Sequence, residues 1–383
     1  MEIQRTITII LPNDADLHAT LTAFQQVQQA LSPVCYNGGH PLSALDVQRR
    51  AYHDVKGTLN SQMTITAIRL VAGAYVSAKR NKRPAQRPFQ FRRKAALFLI
   101  GDRGRDADFR ADGTLSIWTI AGRKRITYTV PEHFRLIMQQ AKQRDSMTVI
   151  ERNGRLIGRL AVTLDVPNPA GIHPVGVDRG ETNVLVAVCA DGDQQFVSGL
   201  GYKIKNRQTH KTRKRLQQKL ASRKAEGKDT RSVRRTLKRL GRSHRNRTRT
   251  FVQTAAKQLV HWVPANSVIV LEDLRMPQVS KQMRWRKGTR RRMAQWAHGL
   301  LETWITNKAQ ERGIAVAYVN PAYTSKTCNR CGLIGNRRKH AFVCPSCGHT
   351  DHADVNAAKN IRDRFTGLRA SGSPSVDPEA LKF

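Results

Sequence analysis

The chain has 383 residues and carries 67 Lys and Arg against 28 Asp and Glu, a formal net charge of +39. A monomer gains nothing in solubility from so much self-repulsion, so the excess points to a polyanionic partner whose counterions are released on contact. It excludes nothing finer, because a ribosomal or histone-like protein would carry the same balance, and the length allows two or three domains with cores of their own.

In chain order, residues 3–11 (IQRTITIIL) read as a strand stopped by Pro12 and Asn13. Residues 15–80 read as helices, since ALDVQRRAYHDVKGTL and ITAIRLVAGAYVSAKR repeat apolar residues at three-to-four spacing. Up to residue 80 the charge is almost balanced, with seven basic and five acidic residues, so nearly all of the excess lies beyond it. Residues 81–95 form a basic, proline-broken connector. The stretch 79–94 holds eight Lys or Arg and is either a phosphate contact or a solvated linker. Over 96–170, LSIWTI, RITYTV, MTVIE and LAVTLDV alternate between turn signals, which predicts an antiparallel barrel joined by the first strand, with 15–80 as a helical insertion.

Near Pro174 the pattern changes. VGVDRG opens a strand, and TNVLVAVCADG with QQFVSGL predicts a hairpin turning at Asp191 and Gly192. Residues 203–249 contain twenty basic and two acidic residues. Leu216, Leu220, Val233, Leu237 and Leu240 recur there at helical spacing, which predicts two helices broken near Gly227 and joined by a thin apolar stripe. VIVLE at 268–272 is a buried strand, 293–311 a helix, AVAYVNP another strand, and a short helix starts near Asp354. The final residues, ASGSPSVDPEALKF, have the composition of a disordered tail.

Four of the six cysteines stand as Cys328-x2-Cys331-x12-Cys344-x2-Cys347, with Gly332 and Gly348 behind the two pairs to allow tight turns. Four thiolates so spaced suit a closed, structural, tetrahedral Zn²⁺ site better than a redox dithiol or a disulfide framework. Cys35 and Cys189 are isolated. The start of the chain lacks a signal-peptide layout, and no apolar run reaches membrane-span length, so a reducing, cytoplasmic location is predicted.

Three acids occupy apolar surroundings: Asp178 in VGVDRG, Glu272 in VIVLEDL and Asp354 in DHADVNAAKNI. A carboxylate in an apolar strand costs several kcal/mol unless compensated, commonly by a cation. Two strand ends and a helix start can converge, and three carboxylates there would hold two Mg²⁺ (or Mn²⁺) ions about 4 Å apart for phosphodiester hydrolysis. Taken singly, Asp354 could be an N-cap and Glu272 a strand-end charge.

The order strand-Asp, basic helical insertion, strand-Glu, cysteine ribbon and Asp-x-Asn-Ala-Ala resembles the TnpB proteins of bacterial insertion sequences, which share it with miniature type V CRISPR effectors. The matching elements are GVDRG, LEDL, TSKTCNRCG and DVNAAKNI. The likeness is specific over about 174–364 and only architectural over 1–170. It implies an α+β multidomain protein: a wedge-like β-barrel (1–14 and 81–172) with a helical recognition insertion (15–80), then an RNase H-like (RuvC-like) nuclease domain (173–321 and 351–366). The implied nuclease domain carries a basic insertion at 203–262, a zinc ribbon at 322–350 and a tail at 367–383. It further implies Asp178, Glu272 and Asp354 as catalytic acids, a guide RNA from the element end, and a DNA target recognised beside a short motif. Candidate nucleic-acid contacts are Arg213, Arg215, Arg234 and Arg235, with Arg284, Trp285 and Arg290 in KQMRWRKGTRRR. Asp273 should face away from the acids by strand alternation. The alternatives are a guided repressor that does not cut, an RNA-independent nuclease of the same fold, and a ribosomal-type zinc protein.

Overall fold

The computed structural model describes residues 1–92, 94–101, 106–274 and 298–367. The chain divides into two compact units, Glu2–Asp165 and, together with Met1, the remainder from Val166.

The first unit begins with β1 (Glu2–Leu11), followed by α1 (Ala15–Tyr36), α2 (Ala44–Val55) and α3 (Ser61–Arg80). Each helix starts on a side-chain cap: Asp14 accepts from the Leu17 amide, Ser43 from Asp46 and Asn60 from Met63, which satisfies donors that a first turn leaves free. Then come β2 (Ala95–Leu99), β3 (Ala107–Phe109), β4 (Leu115–Thr119), β5 (Gly122–Ile126), α4 (Glu132–Gln139), β6 (Ala141–Arg152) and β7 (Arg155–Asp165). The strands foreseen as a barrel fall into two antiparallel sheets, β1-β7-β6-β2 and β3-β4-β5. Along β7, alternate side chains of Leu156, Leu160, Val162 and Leu164 are buried, as a two-residue repeat requires.

One local expectation needs correcting. The run 125–130 is a strand only as far as Ile126; Thr129 makes an isolated bridge to Ile10, and Pro131 then leads into α4. That helix is eight residues long, barely two turns, and its amphipathic pattern is shorter than the window in which a helical period is read.

The second unit contains β8 (His173–Asp178), β9 (Asn183–Val188), β10 (Gln194–Ser198), α5 (Leu200–Ala225), α6 (Arg231–Trp262), β11 (Ser267–Glu272), α7 (His298–Glu311) and β12 (Ala315–Val319). The short strands β13 (Asn336–Arg338), β14 (Ala341–Val343) and β15 (Thr350–His352) form the ribbon, and α8 (Ala353–Phe365) follows. The main sheet runs β10-β9-β8-β11-β12. The first three strands are antiparallel, and β11 lies parallel to both β8 and β12.

Strand alternation divides this sheet cleanly. Val175, Val177, Leu185, Ala187, Ile269 and Leu271 join a core with residues of α6 and α7, including Leu259 and Leu301. Val186 and Val188 pack instead on Val355 and Ala358 of α8, and Val268 and Val270 on Ile361. Gly176 belongs to the α8 face. A Cβ there would sit 2.0 Å from the Ala358 carbonyl oxygen and 2.7 Å from Arg362 Cβ, so the helix can lie this close only over glycine.

The helical pair is as foreseen. The chain reverses at Gly227, whose φ is 65°. Leu216, Leu220, Leu237 and Leu240 are half-buried and Val233 is buried, while α5 buries no residue completely. The last third of α6 turns apolar and buries Val252, Ala255, Ala256, Leu259 and Val260 against the sheet. Among the described residues no helix is long and apolar enough to cross a membrane.

Candidate active site

The same alternation that builds the two cores sets the acids. Asp178 shares a face with Gly176, and Glu272 shares one with Val268 and Val270, so both carboxylates stand on the α8 side. They end adjacent parallel strands, since Val177 pairs with Leu271 immediately before them. Asp354 lies in the first turn of α8, where the helix dipole favours a negative charge. All three are nearly buried, at 7%, 7% and 5% exposure for Asp178, Glu272 and Asp354. Asp273, one residue past the strand, has its amide bonded to Val319 O at 2.9 Å.

Side chains from other elements hold Asp354 and Glu272. Arg337 of β13 donates to Asp354 Oδ1 at 2.6 Å, and Asn183 donates to Oδ2 at 2.9 Å. The Asp354 amide donates to His352 Nδ1, and His352 stacks on His340 with ring centroids 5.4 Å apart. Buried Thr324 donates its hydroxyl to Glu272 Oε1. Arg179 donates to the Glu272 carbonyl at 2.6 Å and to Glu302 at 2.9 Å, which ties the end of β8 to the end of β11 and to α7. None of these supporting residues was singled out from the sequence. Arg179 and Thr324 do lie inside the motifs GVDRG and TSKTCNRCG, but Asn183 and Arg337 carry no local signal.

The crowding has an electrostatic consequence. Burial pushes Asp178 up to about 7, and the Glu272 and Asp354 carboxylates push the same way against Arg337 and the Arg179 amide. The folded state thus keeps a proton that the unfolded chain loses near the ordinary value of 3.8. Between those two values the folded chain binds more protons, so its stability without added divalent cation should fall as pH rises through that window. Asp178→Asn should flatten this dependence, and added Mn²⁺ should offset it. Thermal unfolding at the two ends of the window tests this; equal pH dependence in Asp178→Asn and the unaltered chain would refute it.

The cysteine cluster closes as its spacing requires. The four sulfurs lie within 4.8 Å of one another, with Cys328 to Cys347 at 3.7 Å and Cys331 to Cys344 at 3.6 Å. A tetrahedral ion with sulfur ligands at about 2.3 Å places sulfurs about 3.8 Å apart, so the donor set fits zinc. Gly332 and Gly348, with φ of 81° and 69°, donate their amides to Cys328 O and Cys344 O and make the two turns. Cys328 and Cys344 are buried with Phe342 and with Ala353, the first residue of α8.

Arg213, Arg215, Arg234 and Arg235 are exposed on α5 and α6. Arg284, Trp285 and Arg290 lie outside the described residues.

Several known proteins resemble this chain over part of its length. A family described as "Cas12f1-like, TNB domain" matches residues 298–361. A TnpB-like protein of Aquifex aeolicus is 31% identical over 124 residues, covering 29% of this chain and 37% of that protein. A putative transposase of Methanocaldococcus jannaschii is 34% identical over 87 residues, covering 20% of this chain and 80% of that protein. For three curated relatives, the aligned stretches span 16%, 37% and 19% of the relative's own length, so the chain covers well under two thirds of each. In structure, CasPhi-2 (Cas12j) bound to crRNA superposes with a TM-score of 0.51 at 11% identity, covering 98% of this chain and 99% of that one, which is a likeness of fold.

Proposed function

The chain belongs to the TnpB family, and on that footing we propose that it is an RNA-guided DNA endonuclease cutting at Asp178, Glu272 and Asp354. The observation that carries the reading is the convergence of three nearly buried carboxylates, one of them pushed up to about 7 by burial and by the other two. Such a cluster is poorly stable without a cation. A pair of Mg²⁺ or Mn²⁺ ions would supply an activated water and stabilise the leaving oxygen. The chain's own part is to hold the carboxylates: Asp178 and Glu272 on neighbouring strand ends, Asp354 on a helix start. The second unit is read as RNase H-like (RuvC-like), because a sheet of three antiparallel strands followed by two parallel ones carries Asp178 and Glu272 at adjacent strand ends and Asp354 on the helix packed against it. The thiolate cluster is read as a zinc ribbon spanning 322–350. In the first unit, the two antiparallel sheets are read as the wedge (1–14 and 81–172) and the helices between them as the recognition insertion (15–80).

The partners follow from charge. The exposed arginines of α5 and α6 would track the phosphates of a guide RNA paired to its DNA target, a task that needs backbone contacts and no base reading. Purification of the chain from its host should bring down a defined RNA, and the complex should cut a plasmid matching that RNA. Cutting that needs no RNA would favour the RNA-independent nuclease, and guided binding without cutting would favour the repressor. RNA affinity should fall steeply with salt. Reversing Arg213, Arg215, Arg234 and Arg235 together to Glu should lower the slope of log K against log salt by roughly three, with circular dichroism unchanged. An unchanged slope would remove α5 and α6 from the RNA path.

A further inference from the structure

Glu272 is the last residue of β11, so its backbone is fixed by the sheet while its carboxylate stands on the α8 face. The bond that orients this carboxylate comes from another part of the chain. Thr324, 1% exposed, donates to Oε1 and opens the segment that leads to the first cysteine pair. That segment is held on α8 by two asparagines one turn apart. Asn360 Nδ2 donates to Thr324 O at 2.8 Å and to Thr327 O at 2.6 Å. Asn356 Nδ2 donates to Thr327 O at 2.7 Å, and its Oδ1 accepts the Asn329 amide at 2.9 Å. Both side chains are buried, with Asn356 at 0% and Asn360 at 5% exposure. Asn356 is two residues beyond Asp354 on the same helix.

We propose that Thr324, Asn356 and Asn360 are positioning residues that make the four-cysteine ribbon set the Glu272 carboxylate, so that cation affinity at the acids is controlled from the ribbon. The proposal rests on the reading of the acids as a cation site. Its chemistry is that of an outer ligand shell: a hydroxyl bound to Oε1 fixes the plane of the carboxylate and leaves Oε2 for a cation. The asparagines fix the hydroxyl in turn, because their amide N–H groups bind the Thr324 and Thr327 carbonyls of a segment whose own pairing is a short antiparallel bridge at Thr327. The cysteines anchor the far end of the segment, with Cys328 buried against Ala353. Glu272 and Asp354 thereby become parts of one hydrogen-bonded unit, although they are far apart in sequence.

The test is Mn²⁺ binding to the full chain by electron paramagnetic resonance, with zinc content measured on the same samples. Thr324→Val keeps the β-branched shape and removes the donor. It should weaken Mn²⁺ binding about tenfold or more, with zinc content and melting temperature unchanged. Thr324→Ser should restore binding close to that of the unaltered chain, and Asn360→Ala should weaken Mn²⁺ binding in the same direction while retaining zinc. A merely structural role would not separate Mn²⁺ affinity from zinc content in this way. Thr324→Val binding Mn²⁺ as tightly as the unaltered chain, or Thr324→Ser binding as weakly as Thr324→Val, would overturn the proposal. If Asn360→Ala releases zinc, the two Thr324 variants decide alone. Failure of the unaltered chain to bind Mn²⁺ would overturn the cation-site reading itself, which is a different result.

Discussion

Asp178→Ala, Glu272→Ala and Asp354→Ala are each expected to abolish cleavage of a guided plasmid target while leaving guided DNA binding largely intact. Binding comes from base pairing and phosphate contacts elsewhere, whereas the carboxylates are needed to hold the cations. Loss of one ligand removes water activation and leaving-group stabilisation together, so double variants should be no worse than single ones. Asp273→Ala is the internal control, since it lies beyond the strand and out of phase with Glu272. A second measurement guards against misfolding. Asp178→Ala removes the carboxyl that burial and its neighbours disfavour, so without added divalent cation it should melt no lower than the unaltered chain near neutral pH. Cleavage assays paired with gel shifts on the four variants check the whole set. Robust cutting by Asp354→Ala, or loss of cutting confined to Asp273→Ala, would show the site to lie elsewhere.

The second large effect concerns the ribbon. Its strands are three residues each, and the core around them is Cys328, Phe342, Cys344 and Ala353. So little apolar burial cannot hold about thirty residues against chain entropy, whereas zinc bound by such a site contributes about 10–16 kcal/mol in isolated finger peptides. Freshly purified protein should therefore carry about one zinc per chain. Cys344→Ser should lose it and become open to protease within 322–350. Because Arg337, His352 and Thr324 all reach the acids from this region, cleavage should be lost as well, while the helices of the first unit keep their circular dichroism. Protease resistance in Cys344→Ser with full zinc content would refute the assignment.

Much of this architecture is legible in the sequence for identifiable reasons. VIVLE and VGVD are short apolar runs, mostly β-branched, that end on an acid, as strands buried on both faces do, so the acids stand out along the linear chain. The doubled Cys-x2-Cys spacing is equally direct, because two knuckles on one ion leave little freedom in sequence. The supports of the site were not legible. Arg337 reaches Asp354 from a three-residue strand in a charged stretch where any basic residue looks solvated. Asn183 reaches it from the start of a neighbouring strand, 171 residues away in sequence. Both depend on long-range packing that no local period encodes. The helix α4 is hidden for a different reason: its amphipathic pattern lasts only eight residues, between segments that alternate like strands.

The seating of α8 on Gly176 carries a consequence for reading related sequences. The helix that presents Asp354 rests where one side chain is missing, with the Ala358 carbonyl in the space a methyl group would fill. An alanine there would push the helix away from the sheet, though every acid stayed in the sequence. A descendant could thus trade cutting for occupancy of its target without touching a single carboxylate. A census of intact acid triads would then count silent binders among the nucleases, and the residue two places before the first acid is the one to inspect.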